Sequence, residues 1–253
     1  MKAEKRSTAG VSDYYETYWS DEGFCPPGAI TPTLAQLFQA HIRTGWRCLD
    51  VGCGDGRTAG LYLRDHGCEY VGLDVSENAV RAAQALGLDA RKIDDGAPLP
   101  FLEATFDAAV CIEVMEHLFE PHLAAAEIFR VLRPGGVLIV TVPNVAYWRR
   151  RIDLALLGRW KPDGDNLAVG QPWRDPHLRF FNPGSLRRML TSVGFHPVEV
   201  GGHGGSLLRD IPWIGQKLWR GNSSRLYRLA ERMIPSLFAY RLHSVAVRPS
   251  SGR

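Results

Sequence analysis

Short apolar runs alternate with longer stretches of mixed character along most of the chain. Seven of these runs predict strands: "RCLDVG" (47–52), "YVGLDV" (70–75), "DARKI" (89–93), "FDAAVCI" (106–112), "VLIVTV" (137–142), "PVEVG" (197–201) and "HSVAVR" (243–248). Apolar runs separated by helix-length segments are the mark of a parallel sheet with crossover helices. One helix has both ends written in the sequence: Asn182 as N-cap, Pro183 at the first helical position and Gly194 just past Val193. Five parallel strands followed by two late ones predict an α/β fold, an open, doubly wound, mostly parallel sheet of seven strands. Such sheets bind ligands beyond the carboxyl ends of their strands.

Two segments break the alternation. Residues 144–182 are rich in Trp, Arg, Pro and Gly, and residues 203–240 open on a glycine-rich stretch before an amphipathic one. Both follow strands, where insertions that cover a substrate would sit; the bland alternative is surface loops. At 253 residues the chain suits one domain with such insertions. No run approaches the roughly 18 apolar residues of a membrane span. The N-terminus has charges and no apolar core of a secretory signal. Five cysteines, an odd number without paired spacing, suit a reduced cytoplasmic protein without a disulfide framework. The net charge of +3 is too mild to argue for nucleic acid. Its distribution is uneven, however. Residues 211–238 interleave Trp213, Leu218, Trp219 and Tyr227 with arginines, which suits either a lid on the substrate or peripheral contact with an anionic membrane.

Candidate chemistry begins at "LDVGCGDG" (49–56), where Gly52, Cys53, Gly54 and Gly56 follow the first strand. Glycines there let a backbone approach a ligand closely, and the next helix offers free N–H groups. Gly54 to Ala59 also satisfies a dinucleotide-binding pattern, but that frame starts too far past the strand. Asp74 ends the second strand, where a carboxylate accepts hydrogen bonds from ribose hydroxyls in this architecture. Asp94 and Asp95 end the third. Three strand ends carrying carboxylates favour a ligand with hydroxyl and amino donors and little phosphate; each aspartate could instead serve as a helix cap or turn former.

Together, "LDVGCGDG", "GLDVS", "DDGAPLPF", "FDAAVCIEVMEHL" and "VLRPGGVLIVTVPN" resemble the ordered motifs of class I S-adenosylmethionine-dependent methyltransferases over residues 45–200. The resemblance implies a Rossmann-like methyltransferase domain spanning 1–253. Within it, 1–45 form an N-terminal cap, 46–143 the cofactor-binding half, and 144–182 and 203–240 the insertions over the substrate. It implies that Asp50 and the glycine turn hold the methionine portion of S-adenosyl-L-methionine. Asp74, with Val75 beside it, holds the ribose. Asp95 and Gly96 meet the adenine, with Asp94 the alternative, and Ile112 meets the methionyl amine through its backbone. The segment "YYETYW" (14–19) resembles an aromatic stretch that closes over the cofactor; it reads equally well as a surface helix.

The stretch from Asn144 onward resembles small-molecule O-methyltransferases of the ubiquinone-biosynthesis type and a group related to methionine biosynthesis. The resemblance therefore implies a small-molecule acceptor: a natural product, a sugar or a quinone. A hydroxyl acceptor has to lose a proton, so a base or a metal is useful. Glu113, Glu116 and His117, in "CIEVMEHL", resemble part of the ligand set of metal-dependent 2′-O-methyltransferases acting on small RNA, with His177 completing it. Those four residues suit a divalent ion such as Mg²⁺, Mn²⁺ or Zn²⁺. Without a metal, His117 or His177 becomes the general base. His122 and His203 read as surface or loop residues. Two alternatives stay open: methylation of RNA termini, and a cofactor-binding partner subunit that methylates nothing itself.

Overall fold

The computed structural model describes residues 11–20, 30–158, 176–204 and 229–250. Its elements, in chain order, are α1 (Val11–Tyr18), α2 (Pro32–His41), β1 (Arg47–Val51), α3 (Gly60–Asp65), β2 (Glu69–Asp74), α4 (Glu77–Ala85), β3 (Ala90–Lys92) and β4 (Phe106–Ile112). Then come α5 (Pro121–Val131), β5 (Leu132–Pro143), α6 (Trp148–Leu157), α7 (Pro183–Val193), β6 (Val198–His203), α8 (Pro235–Phe238) and β7 (Arg241–Val247). All seven predicted strands form. The sheet order is β3-β2-β1-β4-β5-β7-β6, so the doubly wound, seven-stranded α/β arrangement is present.

The chain divides into two compact units, residues 1–110 and 111–253. In the first, β1 pairs in parallel with β2 and β4, and β2 with β3. Its middle strands are apolar on both faces: Cys48 and Leu49 on β1 and Leu73 on β2 are buried, as are Ala108, Ala109 and Val110 on β4. That double burial is what helices on both sides of a parallel sheet demand. Strand β2 ends on Asp74, and Glu113 follows directly after β4.

In the second unit β7 runs antiparallel to both β5 and β6. Helix α7 starts and stops where its sequence signals place it. The Asn182 side chain accepts from the Ser185 N–H, the Ser185 side chain returns a bond to the cap, and Gly194 closes the helix at a φ of 116°. Apart from β4, whose ends match, most strand ends shift by one or two residues, and the start of β5 shifts further. Strand β5 starts at Leu132, five residues before the apolar run: "RPGG" lies within it, with Arg133, Pro134 and Gly135 exposed, Gly136 buried and Gly135 at a φ of 82°.

His203 also departs from its reading as a loop residue. It is the last residue of β6 and pairs in register with Arg241 of β7. The glycines beside it do not break the strand, because the His243 ring fills the space a side chain on Gly201 would need. His122, in the first turn of α5, is exposed beside Glu120, as a surface residue should be. Most of the amphipathic stretch 211–238 and the centre of 144–182 lie outside the described residues. Among the described residues, no helix is long and apolar enough to cross a membrane. Cys48, Cys53, Cys68 and Cys111 are free thiols.

Candidate functional site

In the first unit, β1 and β2 bring Asp50, the glycine turn and Asp74 together. The Gly52 and Cys53 amides both donate to the Leu73 carbonyl, at 2.8 and 2.9 Å, which pins the turn to the end of β2. Those bonds give Gly52 and Cys53, which precede the dinucleotide frame, a part in the turn. Gly54 has a φ of 55°, and a Cβ there would sit 2.6 Å from the Trp19 ring. Only glycine fits: the turn needs left-handed backbone and an aromatic ring packs directly on it.

The Gly54 amide donates to Asp74 Oδ2 at 2.8 Å, and the Ser76 amide to Oδ1 at 2.9 Å. Both carboxylate oxygens are thus oriented by backbone, and each keeps capacity to accept from a hydroxyl. Burial pushes the Asp74 pKa up, opposed by the Ser76, Gly54 and Val75 amides, with the Glu16 charge pushing the same way as burial. Helix capping falls to Ser76, whose hydroxyl accepts from the Ala79 N–H. Asp50 is fully enclosed, with Tyr70 donating to its Oδ2 at 3.0 Å. Burial raises its pKa to about 7; the Tyr70 bond works against that and the Asp74 charge adds to it. Asp94, Asp95 and Gly96 lie in an exposed turn beyond β3.

Three residues that the sequence analysis did not single out also belong to this region. The Glu16 carboxylate accepts from the Glu77 and Asn78 amides and from the Ser76 hydroxyl. Tyr70 fixes Asp50, and buried Asp55 is bound by its neighbour Arg57. The pairing of Asp55 with Arg57 two residues on was a readable signal. Nothing in the sequence pointed to Tyr70.

In the second unit the chain turns sharply after Ile112, the half-buried end of β4. Glu113 takes a φ of 56°, left-handed backbone that is uncommon outside glycine, and its amide donates to the Thr141 carbonyl at 3.0 Å. Its Oε2 accepts from Arg241 Nε at 2.9 Å, while Oε1 is buried without a hydrogen-bond partner. Three residues on, Glu116 is 1% exposed, and neither of its carboxylate oxygens has a hydrogen-bond partner among the described residues. Burial pushes its pKa well above the usual range, and the Glu113 charge pushes the same way. Its own backbone amide and Arg241 offset this in part.

The Glu116 backbone carbonyl accepts from the Leu178 and Arg179 amides, which ties segment 176–181 to this turn and brings His177 in. The Nε2 atoms of His117 and His177 lie 3.8 and 4.0 Å from Glu116 Oε1, and the two rings stack at 4.7 Å. His117 Nδ1 sits 3.3 Å from the Pro176 carbonyl. A carbonyl only accepts, so Nδ1 can donate here when it is protonated, and Nε2 is the ring nitrogen that faces Glu116.

Glu116, His117 and His177 offer three ligand atoms within 4.8 Å of one another. An ion about 2.0–2.2 Å from each, at tetrahedral angles, would draw the widest pair closer by about 1 Å. An orphaned buried carboxylate facing two imidazoles fits a divalent cation. Glu113, expected as a fourth ligand, is engaged by Arg241 instead. Outside this cluster, His203 Nδ1 lies 3.4 Å from His243 Nδ1, and burial with the neighbouring His243 and Arg241 charges lowers the His203 pKa to about 4.

Comparison with known proteins gives this geometry a family. A methyltransferase-domain family model matches residues 26–200. The chain is 32% identical over 238 residues to a probable S-adenosylmethionine-dependent methyltransferase of Mycolicibacterium smegmatis, covering 83% of this chain and 84% of that one. It is 28% identical over 203 residues to a ubiquinone biosynthesis O-methyltransferase of Idiomarina loihiensis, covering 73% and 77%. Among solved structures, an S-adenosylmethionine-dependent methyltransferase from Archaeoglobus fulgidus shares the fold, with a TM-score of 0.58 at 17% identity, over 85% of this chain and 91% of that one. The chain belongs to the S-adenosylmethionine-dependent methyltransferases.

Proposed function

We propose that this methyltransferase transfers the methyl group to a hydroxyl of a small molecule (a natural product, a sugar or a quinone-type phenol) with help from a divalent cation. The observation that carries this reading is Glu116, enclosed with both oxygens unpartnered against two imidazoles. A carboxylate so placed is costly unless something positive or a proton meets it. S-adenosylmethionine supplies a methyl group already activated on sulfur, so much of the catalysis is positioning and exclusion of water. What remains is the acceptor's proton. In this reading Glu116, His117 and His177 hold the cation against the acceptor oxygen, which lowers the pKa of the hydroxyl. The two histidines serve as bases where no metal is bound.

In the first unit, Asp74 presents oriented oxygens to the ribose hydroxyls, and Asp50 and the glycine turn face the methionine portion. Relatives named as O-methyltransferases support transfer to oxygen.

The test is methyl transfer from labelled S-adenosylmethionine to phenols, catechols, glycosides and short RNAs, with and without EDTA. Transfer to a small hydroxyl acceptor that EDTA abolishes and Mg²⁺ or Mn²⁺ restores is the expected result. Activity indifferent to EDTA removes the cation and leaves the histidines as bases. Transfer to RNA alone replaces the acceptor class, and no transfer to any acceptor points to a partner subunit.

A further inference from the structure

Helix α1 has an unusual attachment. Every described side chain from Ser12 to Ser20 is half-buried or exposed, so none of them is a full core residue, although the segment carries Tyr14, Tyr15 and Tyr18, with Trp19 just beyond the helix. The aromatics pack edge-on against one another. Hydrogen bonds hold the helix instead, and they gather on one residue. Glu16 Oε1 accepts from the Glu77 amide at 2.5 Å, and Oε2 accepts from the Asn78 amide at 3.2 Å and the Ser76 hydroxyl at 3.1 Å. The Glu16 carbonyl accepts from Asn78 Nδ2 at 3.1 Å, and Ser12 donates to the Val75 carbonyl at 3.3 Å.

The carboxylate therefore sits on the N-terminus of α4, where free amides and the helix dipole favour an anion. Lys92 Nζ, 4.0 Å away, adds a cation. The same residues lead directly to the cofactor-binding strand end. The Ser76 amide holds Asp74, Asp74 holds the Gly54 amide, and the Trp19 ring lies against Gly54.

We propose that Glu16 is a latch: it docks α1 over the turn formed by Gly54 and Asp74 and sets how long S-adenosylmethionine stays bound. The inference rests on the reading that Asp74 and the glycine turn hold the cofactor. Glu16 acts through α1 and Ser76 rather than on reacting atoms, which makes it a positioning residue. Because no described side chain of α1 is fully buried, releasing the latch opens the helix without unfolding the unit. The local opening is then limited by these hydrogen bonds and the Trp19 contact with Gly54 rather than by a buried core.

The test measures S-adenosylmethionine dissociation by stopped flow and amide hydrogen exchange of residues 12–19, in the full chain and in Glu16→Ala and Glu16→Asp. Glu16→Ala should dissociate the cofactor roughly tenfold faster, the scale expected for a lost set of charge-assisted bonds. Exchange in 12–19 should quicken while the thermal midpoint stays close to that of the parent. Glu16→Asp, which keeps the charge on a shorter arm, should recover part of the residence time. A Glu16→Ala protein that releases the cofactor at the parent rate overturns the latch. Slower release or tighter binding overturns it too, and makes α1 a plug over Gly54. A parent protein that binds no S-adenosylmethionine removes the cofactor reading and the latch with it, an outcome visible before any variant is made.

Discussion

The two carboxylate-bearing corners of this protein solve opposite problems. Beyond β2, Asp74 has both oxygens bound by backbone amides, at 2.8 and 2.9 Å. Beyond β4, Glu116 is more deeply enclosed and has neither oxygen hydrogen-bonded. The first corner is oriented before any ligand arrives and can receive neutral hydroxyl donors without rearranging. The second is electrostatically incomplete, and its imidazoles point at the deficit. A folded chain tolerates an unsatisfied buried group mainly where function uses it. In the proposed reading, one corner holds a ligand passively and the other takes up a cation or a proton.

The strongest way to break this contrast is Glu116→Gln. Removing the charge while keeping the shape should lower methyl transfer by about 10²–10⁴-fold, the range for losing a group that handles the proton in the transition state. The thermal midpoint should hold or rise, because a buried carboxylate pushed far above its usual pKa is relieved. A variant with full activity would make the second corner purely structural. Parallel assays of activity and thermal unfolding decide it.

At the first corner the expected effect is smaller and falls on binding. Asp74→Ala should weaken S-adenosylmethionine by roughly 1.5–3 kcal/mol, as expected for hydrogen bonds to a charged partner. Calorimetry on the folded variant measures this, and unchanged affinity would detach Asp74 from the ligand. Asp74→Ala and Glu116→Gln together sharpen the contrast: the first should act on affinity, the second on turnover.

The smallest effect concerns stability and pH. Asp50 ionises near 3.8 in the unfolded chain and about 7 in the folded one. Between those values the unfolded state gives up a proton that the folded state keeps. Stability therefore falls as pH rises through that window, and the loss is complete above about pH 7. Asp50→Asn removes the titration while leaving Tyr70 an acceptor. It should be more stable than the parent by about 1–3 kcal/mol at pH 8, with the difference vanishing towards pH 4. Denaturant titrations across pH test it; a difference independent of pH would show that Asp50 is not the titrating group.

Much of this was legible in order along the chain. The seven strands announce themselves because burial on both faces forces near-continuous apolar runs. The glycine turn, Asp74 and the caps of α7 are local devices, each readable within a few residues. His203 was misread for a related reason. Glycines usually mark loops, and here a ring from the neighbouring strand fills the space they leave. The start of β5 was misplaced because Pro and Gly ordinarily end strands, yet "RPGG" lies within this one.

Hydrophobic period and turn chemistry are short-range, so the residues alone settle the α/β class, the seven strands and the place of the glycine turn. Which side chains meet is a matter of long-range closure. The bonds of Glu16 to the start of α4 join residues 60 or more positions apart, and Arg241 reaches Glu113 across 128. His177 approaches Glu116 because backbone amides beside it happen to bond the Glu116 carbonyl. Local pattern alone does not encode such meetings, and only the family resemblance had set His177 beside Glu116 and His117; each depends on how strands stack and on which buried group is left without a partner once they have.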